Sequence, residues 1–165
     1  MPDSGRNPAP KLSSEQLWQF SLALYPQVKS QCLQWQDELG ANVNLLLLLC
    51  FLEQQQLCLS PQQIQQLSAA LENFSAQFTR PLRQLRRSAS QSPLLPTQQQ
   101  QLKQSLLTAE LELERLEQQL LLAQCPALTA SPQPLLESYL ALLTRDTAAC
   151  AAALFDLRQS LLQSG

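Results

Sequence analysis

Apolar residues in this chain recur at steps of three and four, the period of a helix face, and runs alternating by two are scarce. After Ser13 or Ser14, Leu17, Trp18, Phe20, Leu22 and Leu24 predict a first helix that Pro26 breaks or restarts. A second predicted helix carries Val28, Cys32, Leu33, Trp35 and Leu39, and Gly40 suits the left-handed residue behind its end. Asn42 is a good N-cap for the next. The core of that next helix, Leu45 to Leu52, is an unbroken apolar run of eight residues. A membrane-spanning helix needs about twenty, so no membrane span is expected, and a helix apolar on every side belongs at the centre of a bundle.

The pattern continues with Ser60 as cap and Pro61 at the first helical position. Ile64, Leu67, Leu71, Phe74 and Phe78 then step by 3, 4, 3 and 4, and Pro81 forces a kink or a new start. A serine- and proline-bearing loop, "SASQSPLLPT", leads to the longest helix, residues 97–124. There Leu102, Leu106, Ala109, Leu113, Leu116, Leu120 and Ala123 form a heptad seam. Two seams of equal period joined by a short loop predict an antiparallel hairpin with coiled-coil-like packing. Two shorter helices follow, one opened by Ser131 and Pro132, the last capped by Asp146. The expectation is an all-α, single-domain bundle of about six or seven helices over residues 13–163, behind a disordered leader at residues 1–12.

Composition sharpens this. Leu occurs 39 times and Gln 27 times in 165 residues, against one Ile and two Val, which disfavours strands. The chain has no histidine, which removes His-based acid–base catalysis and His metal ligation. Its five cysteines include no CxxC pair and read as small buried hydrophobes of a reducing compartment. One internal run of helices with Gly40 as its only glycine leaves no room for a glycine-rich phosphate loop. Glu110 and Glu114 at i, i+4 resemble half of a helical di-metal site but lack its Glu-x-x-His partners. No catalytic residue, metal or cofactor is expected. A net charge of −2 argues against nucleic acid as partner. The leader has no apolar signal core, and a cytoplasmic location is expected.

Two polar clusters are candidate sites. Arg80, Arg83, Arg86 and Arg87 place four cations within eight residues. They could hold an anion or an acidic partner surface, or pair with Glu110, Glu112, Glu114 and Glu117 across the hairpin. A simple antiparallel register sets Arg80 nearest Glu110 and leaves Arg86 and Arg87 near the loop. The second cluster, Asp37 and Asn44 with the aromatics Trp35 and Tyr25, could sit at the mouth of an apolar pocket along Leu45–Leu52. Alternatively the asparagines cap backbone and the aromatics pack the core.

The segment from Leu17 to Gln54 is similar to a family of small proteobacterial proteins known only as a domain of unknown function. The likeness rests on W-x-F-S-L-x-L-Y, a Cys-Leu and Gln-Asp pair, G-x-x-V-N-L-L-L, then R-P-L-R-x-L-R-R at Arg80 to Arg87 and the acidic helix "ELELERLEQ". It covers most of residues 15–125. The chain departs from the family's usual form in its glutamine content and in its C-terminal third. The resemblance implies a bacterial cytoplasmic protein and carries no activity, cofactor or catalytic residue. The function expected is a non-enzymatic interaction or accessory protein with another protein as partner, the arginine stripe as contact surface, and a homodimer permitted by leucines off the seam. The alternative is a small-molecule or lipid binder using the pocket. An enzymatic reading, resembling helical isoprenoid enzymes in architecture, ranks last for want of aspartate-rich motifs.

Overall fold

A computed structural model describes residues 12–163. The leader expected at residues 1–12 lies, apart from Leu12, outside the described residues. The described chain is all-α, with seven α-helices on six rods. They are α1 (Ser14–Leu39), α2 (Val43–Gln54), α3 (Pro61–Phe74), α4 (Arg80–Ser88), α5 (Pro96–Gln124), α6 (Leu135–Leu143) and α7 (Ala151–Gln163). A π-helical turn, Ser75–Thr79, joins α3 to α4 without a break.

Local chemistry sets the ends. The Ser13 hydroxyl accepts from the Gln16 amide at 3.2 Å, and Asn42 Oδ1 from the Leu45 amide at 3.2 Å. Ser60 and Gln63 satisfy each other's backbone in a reciprocal box at the start of α3. Asp146 accepts from Ala149 ahead of α7. Gly40 ends α1 at φ 74, and Ala41 donates back to the Trp35 carbonyl, the six-to-one bond of a Schellman end.

Helix α2 sits at the centre, against α1, α5 and α6. Every residue from Asn44 to Leu52 is buried. Leu17, Leu24, Val28 and Trp35 of α1, Ile64, Leu67 and Leu71 of α3, Leu121 of α5, and Leu135, Leu136, Tyr139 and Leu140 of α6 join it in one apolar cluster. Each leucine taken from water there contributes about 1.5–3 kcal/mol. Among the described residues, no helix is long and apolar enough to cross a membrane.

Three local expectations are corrected, and the one at Pro81 is met. Pro26 does not interrupt α1, because the face buried before it, Leu17, Ser21 and Leu24, continues after it as Val28, Cys32 and Trp35. Pro26 is exposed, and so is Leu22, whose carbonyl lacks an i+4 donor, so water can serve that carbonyl. Pro81 stands where a new start was expected: α4 begins at Arg80 with Pro81 in its first turn, behind the π-turn in which Arg80 donates to Ser75 rather than to the usual i−4 carbonyl. Helix α6 begins at Leu135, not at Ser131, because Thr129 and Ala130 pair antiparallel with Cys58 and Leu57 in a two-residue ladder. The buried line of α5 is not the predicted leucine seam: Ala109, Leu116 and Ala123 are exposed, and Glu110, Glu117, Gln118 and Leu121 are buried.

Candidate functional site

That rotation of α5 turns a polar face toward the bundle, and the chain builds a network around it. Gln118, 1% exposed, donates through Nε2 to Ser21 Oγ of α1 at 2.9 Å and to Asn44 Oδ1 of α2 at 3.1 Å. Asn44 Nδ2 donates to the Glu114 carbonyl at 3.2 Å and to Glu117 Oε2 at 3.4 Å. Asn42 Nδ2 reaches Glu117 Oε1 at 3.4 Å, while its backbone N–H donates to the Tyr139 hydroxyl at 3.0 Å. Polar groups in a core are tolerated when they satisfy one another. Two atoms are left over: Gln118 Oε1, and the hydroxyl of Thr79, which lies beside the Glu117 carboxylate without closing a hydrogen bond.

One turn along α5 the network becomes ionic. Glu110, with a side chain 5% exposed, accepts from Arg83 Nε at 3.0 Å and from both Nε and Nη2 of Arg86, the latter at 3.3 Å. Burial pushes its carboxyl up, but the bonds from Arg86 and Arg83 together outweigh that and hold it below the usual carboxylate range. The Glu110 bond raises Arg86 in return. Glu114, 30% exposed at its side chain and 3.6 Å from Arg83 Nη2, is pushed up to about 7 by burial and then by the charge of Glu110. Burial raises Glu117 as well, against the opposing bonds from Asn42 and Asn44. Tyr25 of α1 is half-buried beside the same row, raised by burial and by Glu114. Three carboxylates thus face two guanidiniums, so the row is one negative charge in excess when all are ionised.

The arginine stripe therefore divides. Arg83 and Arg86 point inward onto α5. Arg80 pairs with the exposed Glu72 of α3, which corrects the expected register of Arg80 against Glu110. Arg87 has no hydrogen bond or ion pair among the described residues. The reason lies in the rotation of α5: the shift of one position along the helix that buries Glu110 brings it under Arg83 and Arg86. The inner line of α4 runs Thr79, Leu82, Arg83, Arg86, Ala89, while the outer face shows Pro81, Gln84, Leu85, Arg87 and Ser88. With Gln91 these six outer residues line an open concavity of about 620 Å³. Leu85 is 57% exposed there, and Phe78, two turns earlier, packs tilted against Phe74 at 5.1 Å between ring centroids with half its surface in solvent.

The second predicted cluster divides, with two of its four members, Tyr25 and Asn44, meeting at Glu114 of α5. Trp35 is buried in the core, Asp37 is exposed, Tyr25 belongs to the carboxylate row and Asn44 to the Gln118 network. A further ionic cluster escaped the sequence reading. Arg158 of α7 bridges Glu53, at the end of α2, and Glu137 of α6, and Glu53 also accepts from the Leu136 amide at 3.0 Å. Burial raises Glu53 despite these partners, whereas Glu137, more open, is lowered because Arg158 outweighs its burial. Nothing in the spacing of single charges at residues 53, 137 and 158 announces that meeting.

Fold and polar row together define an all-α bundle with an apolar central helix and a buried polar face on α5. The chain belongs to the family described as Protein of unknown function (DUF2390), which matches residues 16–121. That span contains Ser21, Tyr25, Asn42, Asn44, Arg83, Arg86 and the Glu110–Gln118 row, so four of the five motifs named above send a polar side chain to the same place, and the Cys-Leu and Gln-Asp pair does not. No curated protein and no solved structure matches the chain.

Proposed function

We propose that the protein is a non-enzymatic interaction or accessory protein that engages a protein partner through the outer face of α4. One observation carries this reading: an exposed leucine, Leu85, and a cation without a partner among the described residues, Arg87, share a concavity that contains no carboxylate. Such a pairing suits an apolar side chain with a carboxylate close by. The carboxylates with perturbed protonation are tied into structural contacts, Glu53, Glu110, Glu114 and Glu137 in ion pairs and Glu117 in bonds from Asn42 and Asn44, and the chain offers no histidine for proton transfer. Apolar residues along Leu45–Leu52 are each at most 6% exposed, which favours a surface over a pocket along α2.

A photo-crosslinking amino acid at Gln84, introduced in the cells the protein comes from, tests the reading. The expected result is a discrete crosslinked partner that disappears with Leu85→Asp or Arg87→Glu and persists with Phe155→Asp on the exposed face of α7. A crosslinking pattern indifferent to Leu85 and Arg87 would refute it.

A further inference from the structure

Helix α4 is attached in an unusual way. It contains no buried residue of its own. Its hold on α5 comes from Arg83 and Arg86 on Glu110, from Arg83 on Glu114, from partly buried Leu82, and from Thr79 and Ala89 just beyond its two ends. It leaves α3 through the π-turn Ser75–Thr79, where the ladder is locally underwound. A segment with few apolar contacts opens locally at lower cost than the leucine core.

We infer that α4 is an autoinhibited basic arm: the Glu110 row of α5 occupies the arginines that, once the arm lifts between its π-turn and the loop at residues 92–95, hold the carboxylates of an acidic segment in the partner protein. The inference rests on the proposed role of α4 as the contact helix and adds its regulation. The closed state itself shows what the arginines take, namely a carboxylate carried on a helix and gripped by two guanidiniums. Opening would free Arg83 and Arg86 to join Arg87 on one mobile helix, beside Leu82 and Leu85. The row left on α5 loses both of its guanidiniums when the arm opens, so its ionised carboxylates repel the incoming acidic segment and keep it on the arm. A polyanionic nucleic acid would meet the same repulsion over a longer track, in a protein of net charge −2.

The test uses a fluorescein-labelled short poly-glutamate peptide and, in parallel, an oligothymidylate of equal length. Glu110→Gln keeps the shape of the side chain and removes the clamp. It should tighten poly-glutamate binding by about ten-fold or more. Glu112→Gln, an exposed change of equal charge on the same helix, should leave it within about two-fold. Adding Arg83→Gln and Arg86→Gln to Glu110→Gln should return affinity to the wild-type level. Equal effects of Glu110→Gln and Glu112→Gln would overturn the inference, and so would tighter binding of the oligothymidylate. Hydrogen exchange on the wild-type protein gives a second readout independent of any variant. Amides of residues 82–88 should exchange by local opening well ahead of those in α2, and equal protection of the two would overturn the arm. If the clamp fails these tests while Leu85→Asp still abolishes the crosslink at Gln84, the contact surface stands and only its regulation falls.

Discussion

Replacing Glu114 by glutamine should stabilise this protein at alkaline pH and change it little near pH 5. Glu114 sits half in the α1–α4–α5 seam between Glu110 and Glu117, with Arg83 at 3.6 Å as its nearest cation. Below pH 4.5 its carboxyl is protonated in folded and unfolded chains alike. Between 4.5 and 7 the unfolded chain gives up the proton while the fold retains it, so stability falls as pH rises. Above 7 the penalty is constant. A rise from the ordinary 4.5 to about 7 corresponds to about 3 kcal/mol at about 1.4 kcal/mol per unit. The side chain is 30% exposed, and solvent screening lowers the expected gain to about 1–3 kcal/mol. Glutamine imitates the protonated form at every pH. Urea unfolding followed by circular dichroism, under reducing conditions at pH 5 and pH 8, measures the difference. The gap between Glu114→Gln and wild type should widen with pH in favour of the variant. A gap that stays constant, or that turns against the variant at pH 8, would mean that the Arg83 ion pair outweighs burial and that the reasoning about this seam is wrong.

Three further outcomes follow from the same contacts. Asn44→Leu leaves Gln118 and Glu117 without a shared partner in the core and should cost about 2–4 kcal/mol in urea unfolding; a neutral result would mean that the network is not formed. Arg158→Met removes the only cation gripping Glu53 among the described residues and should destabilise by about 1–3 kcal/mol. That loss should be larger at pH 8 than at pH 5, since an unpaired Glu53 is tolerated only when protonated, and equal losses at the two pH values would count against the bridge. Gly40→Ala places no atom within 4 Å of the new Cβ, so only the backbone at φ 74 is strained. Its thermal midpoint should fall by an amount matching about 1 kcal/mol.

Much of the fold was legible because its signals are local. Asn42, Ser60, Asp146 and Gly40 act where their chemistry predicts, and the eight apolar residues of α2 could only be central. Pro26 misled because a helix interruption depends on what tertiary burial gains on either side. Leu17 to Trp35 bury one continuous face across Pro26. The seam of α5 misled for a different reason. Period alone cannot tell a leucine line from a polar line one position along the same heptad, and the leucines at 106, 113 and 120 end up only partly buried beside Glu110 and Glu117. What turns the helix is the set of partners waiting for the polar line, Ser21, Asn44, Arg83 and Arg86, from three distant segments. The same cause split the arginine stripe, whose members are equivalent in sequence but lie on opposite faces of α4.

Site-resolved carboxyl titration by NMR on the uniformly 13C-labelled protein tests the buried acidic row most directly. The account predicts that Glu110 titrates below the usual carboxylate range, that Glu117 titrates above it, and that Glu114 does so near 7. Three glutamates titrating together at the ordinary value of an exposed side chain would place the polar face of α5 in solvent and contradict the packing on which the rest depends.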